Sequence, residues 1–214
     1  MPLICLFGPD GSGKSALARE LANILSSKMR VRVSWIRGTH TFASIIARFL
    51  ARFNSLRGRE NPYYGICIPT SFRPVWQLIE FLSALPIWVF RFLIPSILGY
   101  TVIGERSLID LAIWISMTTR DLGFLNSFLG RAILTISTKS SLNIYVKADM
   151  VTLRKRRGRE DETSFLPAQL ALYDLIGIRV LSSPLIDTTD RNIKESLREL
   201  LHIISKSGMN LLSE

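Results

Sequence analysis

"LICLFGPDGSGKSALA", residues Leu3–Ala18, joins an apolar segment to an amphipathic one through a loop rich in glycine. The apolar start is typical of a buried strand, and the end is typical of a helix. Between them, "GPDGSGKS" (Gly8–Ser15) matches G-x-x-x-x-G-K-[ST], in which glycines let backbone N–H groups point at phosphate oxygens. A chance match is the alternative, but the strand before the loop and the helix after it favour a nucleoside triphosphate site.

Each position of this loop has an expected role. The residues predicted to bind ATP and Mg²⁺ are Gly8, Asp10, Gly11, Ser12, Gly13, Lys14 and Ser15. Lys14 would reach the β and γ phosphates, and the Ser15 hydroxyl would ligate Mg²⁺. A bound triphosphate would repel the carboxylate of Asp10, so we expect this side chain to face the group that receives the phosphate. The alternative is that Asp10 caps the loop by accepting a backbone N–H.

Length and composition predict a single domain of an intracellular protein. The chain has 214 residues, 48% of them hydrophobic, and 27 Lys and Arg against 17 Asp and Glu, a formal charge of +10. That excess favours polyanionic partners such as nucleotides, nucleic acid or acidic lipid. The two cysteines, Cys5 and Cys67, form no CxxC pair, which indicates buried, reduced thiols and a cytoplasmic location.

The order of apolar runs predicts an α/β fold. Five short runs are expected to be strands: 3–7, 31–36, 100–104, 142–146 and 184–187. Helices are expected between and after them: 16–25, 42–53, 75–92, 110–118, 149–156, 166–180 and 191–204. Alternation of this kind predicts a P-loop NTPase-type, five-stranded parallel sheet with helices on both faces.

One long apolar segment, Val75–Gly104, raises the question of a membrane span. Pro86, Arg91 and Pro95 interrupt it, and neither uncharged run reaches the roughly 18 residues that a spanning helix needs. The sequence therefore predicts a buried helix followed by a core strand, and no membrane span.

Three segments together resemble the thymidylate kinase family of P-loop nucleoside monophosphate kinases: "FGPDGSGKSALARELA", "GYTVIGERSLIDLA" and "RKRRGREDE". The resemblance implies that Asp10 contacts the sugar 3′-hydroxyl of the acceptor nucleotide. It implies that Glu105 holds Mg²⁺ or orients the attacking phosphate, and that Arg106 grips the acceptor phosphate. A structural ion pair at a strand end is the alternative for Glu105 and Arg106.

The resemblance also implies a mobile lid over about residues 150–164. Its candidate catalytic arginines are Arg154, Arg157 and Arg159, within a cluster that also contains Arg156. Cations that close over the transferring phosphoryl group would stabilise its charge. Spacing does not distinguish the arginines, and a solvated basic helix end is the alternative.

Other positions follow from the same resemblance. Phe81 falls where the family stacks a phenylalanine on thymine, and Arg37 falls near an acceptor-phosphate arginine. Core packing for Phe81 and a surface position for Arg37 are the alternatives. Leu85 replaces the family's base-reading arginine, so the acceptor pocket looks more apolar than usual. The segment 185–190 would lie beside the adenine, with Thr188 as a contact.

The resulting hypothesis is a kinase that transfers the γ-phosphoryl group of Mg-ATP to a deoxynucleoside monophosphate, with dTMP the first candidate. "ERS", "RGREDE" and "LPAQLALYDLI" are also similar to deoxyribonucleoside kinases, which makes a nucleoside acceptor the alternative. A third hypothesis is an ATP-switched protein that binds nucleic acid, although no basic and aromatic interleaving supports such a partner. A homodimer with the apolar helix at about 75–92 near its seam is expected.

Overall fold

The computed structural model describes residues 3–36, 41–58, 64–158 and 165–209. Its strands are β1 Leu3–Phe7, β2 Val31–Ser34, β3 Thr101–Gly104, β4 Leu142–Lys147 and β5 Leu185–Asp187. They form one parallel sheet in the order β2-β3-β1-β4-β5. The predicted five-stranded α/β fold is therefore confirmed, and each strand lies within or beside its predicted run.

Helices cover both faces of this sheet. Those in the described residues are α1 Lys14–Leu25, α2 Phe42–Leu50, α3 Arg73–Trp88, α4 Ile94–Ile97, α5 Leu108–Thr118, α6 Phe128–Ser140, α7 Met150–Arg157, α8 Leu166–Asp174 and α9 Ile193–Lys206. Two π-helical segments, Val89–Leu93 and Leu175–Val180, follow α3 and α8.

The central strand β1 contributes to two cores because its side chains alternate between the faces of the sheet. Ile4 and Leu6 pack with α1 and α9 on one face. Cys5 and Phe7 pack with α5 and α8 on the other. Cys5 is buried as predicted, whereas Cys67 is only partly buried, contrary to the prediction. All five residues of β1 are buried, so the strand places the loop that follows it at a fixed point on the carboxyl edge of the sheet.

Helix α6 was missed by the sequence analysis. Its residues, "FLGRAILTISTKS", include a glycine and several β-branched side chains that favour helix weakly. The helix forms because the Ser127 hydroxyl accepts the Gly130 N–H at 3.1 Å as an N-cap. A side chain at Gly130 would overlap the Phe124 carbonyl oxygen, so this close approach requires glycine.

The apolar helix is longer than the sequence predicts, and the prediction that it is buried is wrong, since only 22% of its most apolar 18-residue window is buried. It continues from Thr70 to Ile97, over 28 residues, and includes Pro86 in its interior. Pro86 cannot donate a helical N–H, yet the helix continues past it to Trp88 and on into the π-helical segment Val89–Leu93. By length and composition this helix could cross a membrane, but one side of it, including Glu80, Ala84 and Phe92, is buried in the protein.

The first testable prediction concerns Gly8, which has φ +147° at the end of β1. A Cβ at this position would overlap the Val146 carbonyl oxygen of β4. Gly8→Ala should therefore lower the free energy of unfolding by at least about 3 kcal/mol, measured by urea denaturation. Gly65→Ala is the control, because Gly65 also has a positive φ but open space around it, and should cost about 1 kcal/mol. Equal losses would contradict the predicted clash.

Candidate functional site

The glycine-rich loop between β1 and α1 presents backbone N–H groups at the carboxyl edge of the sheet. Gly8, Gly11 and Gly13 all have positive φ, which lets the chain turn tightly enough to do so. Gly13 is the N-cap of α1 and supplies no capping side chain. The positive end of the helix dipole therefore lies at this loop, and an anion can accept hydrogen bonds from the N–H groups of the loop.

Two buried polar side chains of the loop fit an anionic ligand. The Ser12 hydroxyl is buried and has no hydrogen-bond partner among the described residues. The Lys14 ammonium is buried and donates to the Gly8 and Pro9 carbonyl oxygens at 2.7 Å each. Phosphate oxygens could accept from both groups, whereas Ser15 lies exposed at the start of α1.

The charge state of Lys14 depends on its neighbours. Burial, and after it the nearby positive charge of Arg106, lower the pKa of Lys14 to about 8. Asp10, Asp110 and Glu105 act against this shift because negative charges favour the ammonium. A bound polyphosphate would act in the same direction as these carboxylates and hold Lys14 protonated.

Asp10 and Arg106 form an ion pair across the site. The Arg106 guanidinium donates to the Asp10 carboxylate, and both side chains are partly exposed. Arg106 and Glu105 follow directly after β3, whose carboxyl end lies beside that of β1. The structure thus brings three predicted site residues to one edge of the sheet. Whether Asp10 faces an acceptor or caps its own loop stays a prediction.

Asp110 joins the phosphate loop to two helices, and the sequence analysis assigned it no role. Its Oδ1 accepts the Gly8 N–H at 3.3 Å and the Tyr173 hydroxyl at 2.8 Å. Its Oδ2 accepts the Ser107 N–H at 2.7 Å, and Ser107 in turn caps α5, so the pair makes a capping box. The signal was present, because "SLID" (107–110) before an apolar run is a capping-box pattern.

Burial dominates the electrostatics of Asp110. Burial raises the pKa of Asp110, while Lys14 and Arg106 oppose that shift as nearby cations. Burial also raises the pKa of Tyr173, and the Asp110 charge adds to the effect, so the phenol stays a donor. The Tyr173 ring stacks with Tyr145 and Phe7, at centroid distances of 6.2 and 6.5 Å.

The arginines of α7 differ in what they contact. Arg156, which was not among the predicted catalytic arginines, donates to the Gly11 carbonyl at 3.3 Å and to the Thr188 hydroxyl and carbonyl at 3.0 and 2.8 Å. Arg157 donates to Gln169 at 3.4 Å, and its aliphatic part lies beside Gly11. Arg154 is exposed, and Arg159 lies outside the described residues, as does the rest of the predicted lid at 160–164.

Thr188 closes the other side of the phosphate loop. It follows β5 and is buried, and its hydroxyl donates to the Ser12 carbonyl at 2.9 Å. With Arg156 it connects the 185–190 segment, the phosphate loop and α7. The predicted contact of Thr188 with the nucleotide stays a prediction.

The positions predicted to surround the acceptor base do not form a clear pocket among the described residues. Phe81 lies on α3, is partly buried and packs against the core on the α5 side of the sheet. Leu85 is one turn further along α3 and is also partly buried, whereas Arg37 lies outside the described residues. The structure therefore places Phe81 in a core contact, and its stacking on a base stays a prediction.

Glu80, next to Phe81, is a buried carboxylate that the sequence analysis did not single out. It is fully buried, and neither oxygen has a hydrogen-bond partner among the described residues. Burial raises the pKa of Glu80 to about 8. The Trp114 and Trp76 indoles lie close enough to act against that shift, although the Glu80 oxygens lie outside normal hydrogen-bond geometry. The carboxyl group is therefore largely protonated at neutral pH.

Comparison with known proteins supports this fold. A thymidylate kinase from Candida albicans superposes with a TM-score of 0.65 at 17% identity, covering 97% of this chain and 92% of that kinase. Two structures of a deoxyadenosine kinase from M. mycoides also superpose on the chain. The structure with bound dATP gives a TM-score of 0.53 at 16% identity, and the structure with bound dCTP gives 0.57 at 14% identity. Each match covers 95% of this chain and 99% of that kinase. No protein-family model and no curated protein sequence matches the chain. The chain has the fold that these nucleotide and nucleoside kinases share.

Asp110 gives the second prediction. Asp110→Ala would leave the buried Gly8 and Ser107 N–H groups without their acceptor, so it should lower the free energy of unfolding by about 3 kcal/mol. Tyr173→Phe removes a single hydrogen bond and should cost about 1 kcal/mol. The matched control is Asp149→Ala, which removes an exposed N-cap aspartate of α7 and should cost clearly less than Asp110→Ala. If Asp110→Ala lowers the free energy of unfolding no more than Asp149→Ala does, the hydrogen bonds of Asp110 to Gly8, Ser107 and Tyr173 contribute little to stability.

The third prediction concerns pH. The raised pKa of Glu80 means that the folded protein holds a proton that an unfolded glutamate releases near pH 4.3. This group's contribution to stability is therefore complete below about pH 4 and is lost as the pH rises to about 8. Glu80→Gln should raise the free energy of unfolding at pH 8 by a few kcal/mol, roughly, and much less at pH 5. Glu20→Gln, at an exposed position of α1, should show no such trend; a parallel trend would rule out Glu80 as the cause.

Proposed function

We propose that this chain is a kinase that transfers the γ-phosphoryl group of Mg-ATP to a deoxynucleoside monophosphate, with dTMP the first candidate. The observation that carries the proposal is the Arg106–Asp10 ion pair beside the phosphate loop. A loop that only binds ATP needs neither side chain. An arginine for a second phosphate and an acid for a sugar hydroxyl are the groups that a nucleotide acceptor requires.

The donor side is formed by the phosphate loop. Its N–H groups and the Ser12 hydroxyl would hold the phosphates, and Lys14 would transfer its hydrogen bonds from loop carbonyls to β and γ oxygens. Ser15 and Glu105 would hold Mg²⁺, directly or through water. When bound, Mg²⁺ neutralises charge that develops on the phosphates.

The acceptor side is formed by the groups after β3. Arg106 would bind the acceptor phosphate in a bidentate contact, which orients a phosphate oxygen toward the γ phosphorus. Asp10 would bind the 3′-hydroxyl, and Arg37 and Phe81 would complete the pocket. The attacking oxygen forms the new P–O bond as the bond to the ADP oxygen breaks, and ADP leaves with that electron pair.

The lid arginines would supply the remaining charge stabilisation. Arg156 already holds α7 against the phosphate loop, so Arg157 lies close to the loop as well. Arg154, Arg157 and Arg159 are the candidates for contact with the transferring phosphoryl group. In this arrangement Arg156 positions the helix and the others carry charge to the phosphates.

A deoxyribonucleoside kinase is the second candidate. The similarity to deoxyadenosine kinase covers nearly all of that protein at TM-scores above 0.5, which favours it. In such an enzyme the acceptor is a hydroxyl and needs a general base near the sugar. The cytoplasmic location and the homodimer stay predictions.

The fourth prediction tests the kinase proposal. With Mg-ATP and a panel of nucleosides and nucleoside monophosphates, ADP formation should depend on a deoxynucleoside monophosphate. Lys14→Ala and Arg106→Ala should each lower kcat/KM by at least about a hundredfold. Lys206→Ala and Arg198→Ala, at exposed positions of α9, are the matched controls and should leave it unchanged.

The pattern of activity separates the alternatives. ADP formation with nucleosides but not with monophosphates would assign the chain to the second candidate. An unchanged rate in Arg106→Ala would remove this arginine from the acceptor site. No turnover with any acceptor would overturn both candidates.

A further inference from the structure

A buried carboxyl group on α3 has no hydrogen-bond partner, and the phosphate-transfer site does not use it. Glu80 is 0% exposed, and both of its oxygens lack a partner among the described residues. The indole N–H of Trp76, one turn earlier on the same helix, is also buried and lacks a partner among those residues. Because protein interiors pair nearly all of their polar atoms, two unpaired groups this close together indicate that a ligand pairs with them.

The surroundings of Glu80 are aromatic. Trp76 and Trp114 lie close enough to the carboxyl group to act against the rise in its pKa. Burial, and after it a negative charge on Glu80, raise the pKa of Tyr64, so this phenol lies near the carboxyl group as well. The rings of Tyr64 and Trp114 meet edge to face with their centroids 5.8 Å apart. An apolar, aromatic enclosure with a few polar groups is typical of sites for small ligands.

The position of these side chains fits the base of an acceptor. Helix α5 begins directly after Arg106, and α3 packs against it. Trp114 lies about 10 Å along α5 from Ser107. A nucleoside monophosphate has a similar length from its phosphate to its base. An acceptor whose phosphate contacts Arg106 can therefore bring its base to Glu80 and Trp76.

The hydrogen-bonding groups of Glu80 and Trp76 match one class of base. Because burial raises the pKa of Glu80 to about 8, its carboxyl group is largely protonated at neutral pH and has one donor and one acceptor. The Trp76 N–H adds a second donor. The hydrogen-bonding edge of thymine or cytosine has two acceptors and one donor, which complements this set. Both bases fit, because the carboxyl proton can lie on either oxygen.

Purines fit the same groups less well. The corresponding edge of guanine has two donors and one acceptor, so it requires an ionised Glu80, which burial disfavours. The edge of adenine has one donor and one acceptor, so it would leave the Trp76 N–H without a partner. A buried polar group that stays unpaired in a complex lowers the affinity.

We propose that Glu80 and Trp76 bind the hydrogen-bonding edge of a pyrimidine, thymine or cytosine, in the acceptor. This inference rests on the proposed function, because it assigns the base of the acceptor in that reaction. Glu80 supplies the polar contact to the base that Leu85 cannot make. An unpaired buried carboxyl group costs stability, and a protein retains such a cost where the group serves function.

The fifth prediction tests base selection by isothermal titration calorimetry in the absence of ATP. The ligands are dTMP, dCMP, dAMP and dGMP together with the four corresponding deoxynucleosides, so that the acceptors of both candidate functions are covered. The full chain should bind the pyrimidine ligands at least about tenfold more tightly than the purine ligands of the same kind.

Substitutions separate base recognition from a structural role. Glu80→Leu removes both oxygens, so it should weaken pyrimidine binding at least about tenfold and abolish the preference, without lowering the thermal unfolding midpoint. Glu80→Gln keeps a donor and an acceptor and should retain the preference. Gln77→Leu is the matched control, because Gln77 is buried on the same helix and donates to Asp121 at 2.8 Å. It should lower the midpoint and leave the preference unchanged.

Three outcomes would overturn the proposal. One is that the full chain binds purine ligands as tightly as pyrimidine ligands, and another is that Glu80→Leu keeps the preference. The third is that Gln77→Leu loses the preference to the same extent as Glu80→Leu.

The assay of ADP formation separates this proposal from the proposed function. If pyrimidine ligands bind through Glu80 but none of them supports ADP formation, the proposed function is wrong and the assignment of the base stands. If ADP forms equally well with all four bases, the kinase stands and the role of Glu80 is wrong. No binding of any of these ligands would overturn both.

Discussion

The Asp110 carboxylate fixes the phosphate loop relative to the helices around it. One oxygen holds the Gly8 N–H at the start of the loop and the Tyr173 hydroxyl of α8, and the other holds the Ser107 N–H at the start of α5. Three segments far apart in the sequence therefore meet at one buried charged group. Because Arg106 directly precedes Ser107, the same contact places Arg106 beside the loop.

Three cations of the site have hydrogen-bond partners among the described residues. Lys14 donates to loop carbonyls, Arg106 to Asp10, and Arg156 to Gly11 and Thr188. These contacts hold positive groups close together where they would otherwise repel one another. When a polyanionic ligand binds, these side chains would replace some of their hydrogen bonds within the protein with hydrogen bonds to the ligand. Little rearrangement of the side chains would be needed. The arrangement is consistent with catalysis by positioning and charge stabilisation.

The sequence predicts the sheet and the phosphate loop because both depend on local patterns. Short apolar runs between helices set the five strands, and the glycine spacing of the loop follows directly from backbone geometry. Helix α6 was missed because its residues favour helix weakly and because it depends on the close approach of Gly130 to Phe124, which residue types alone do not reveal. The other failures involve contacts between distant residues. The role of Asp110 depends on Tyr173 and Gly8, and Arg156 gains its partners only when α7 packs beside the loop.

The continuous helix through Pro86 has an inner side that packs against the protein core and an outer side that is exposed. Phe81 points into the protein and Leu82, the next residue, is 52% exposed on the outside. An α-helix is a stiff rod, so neighbouring residues on its two sides move together. Any partner that restrains the outer side of this helix therefore also restrains the wall of the pocket in which an acceptor base would bind.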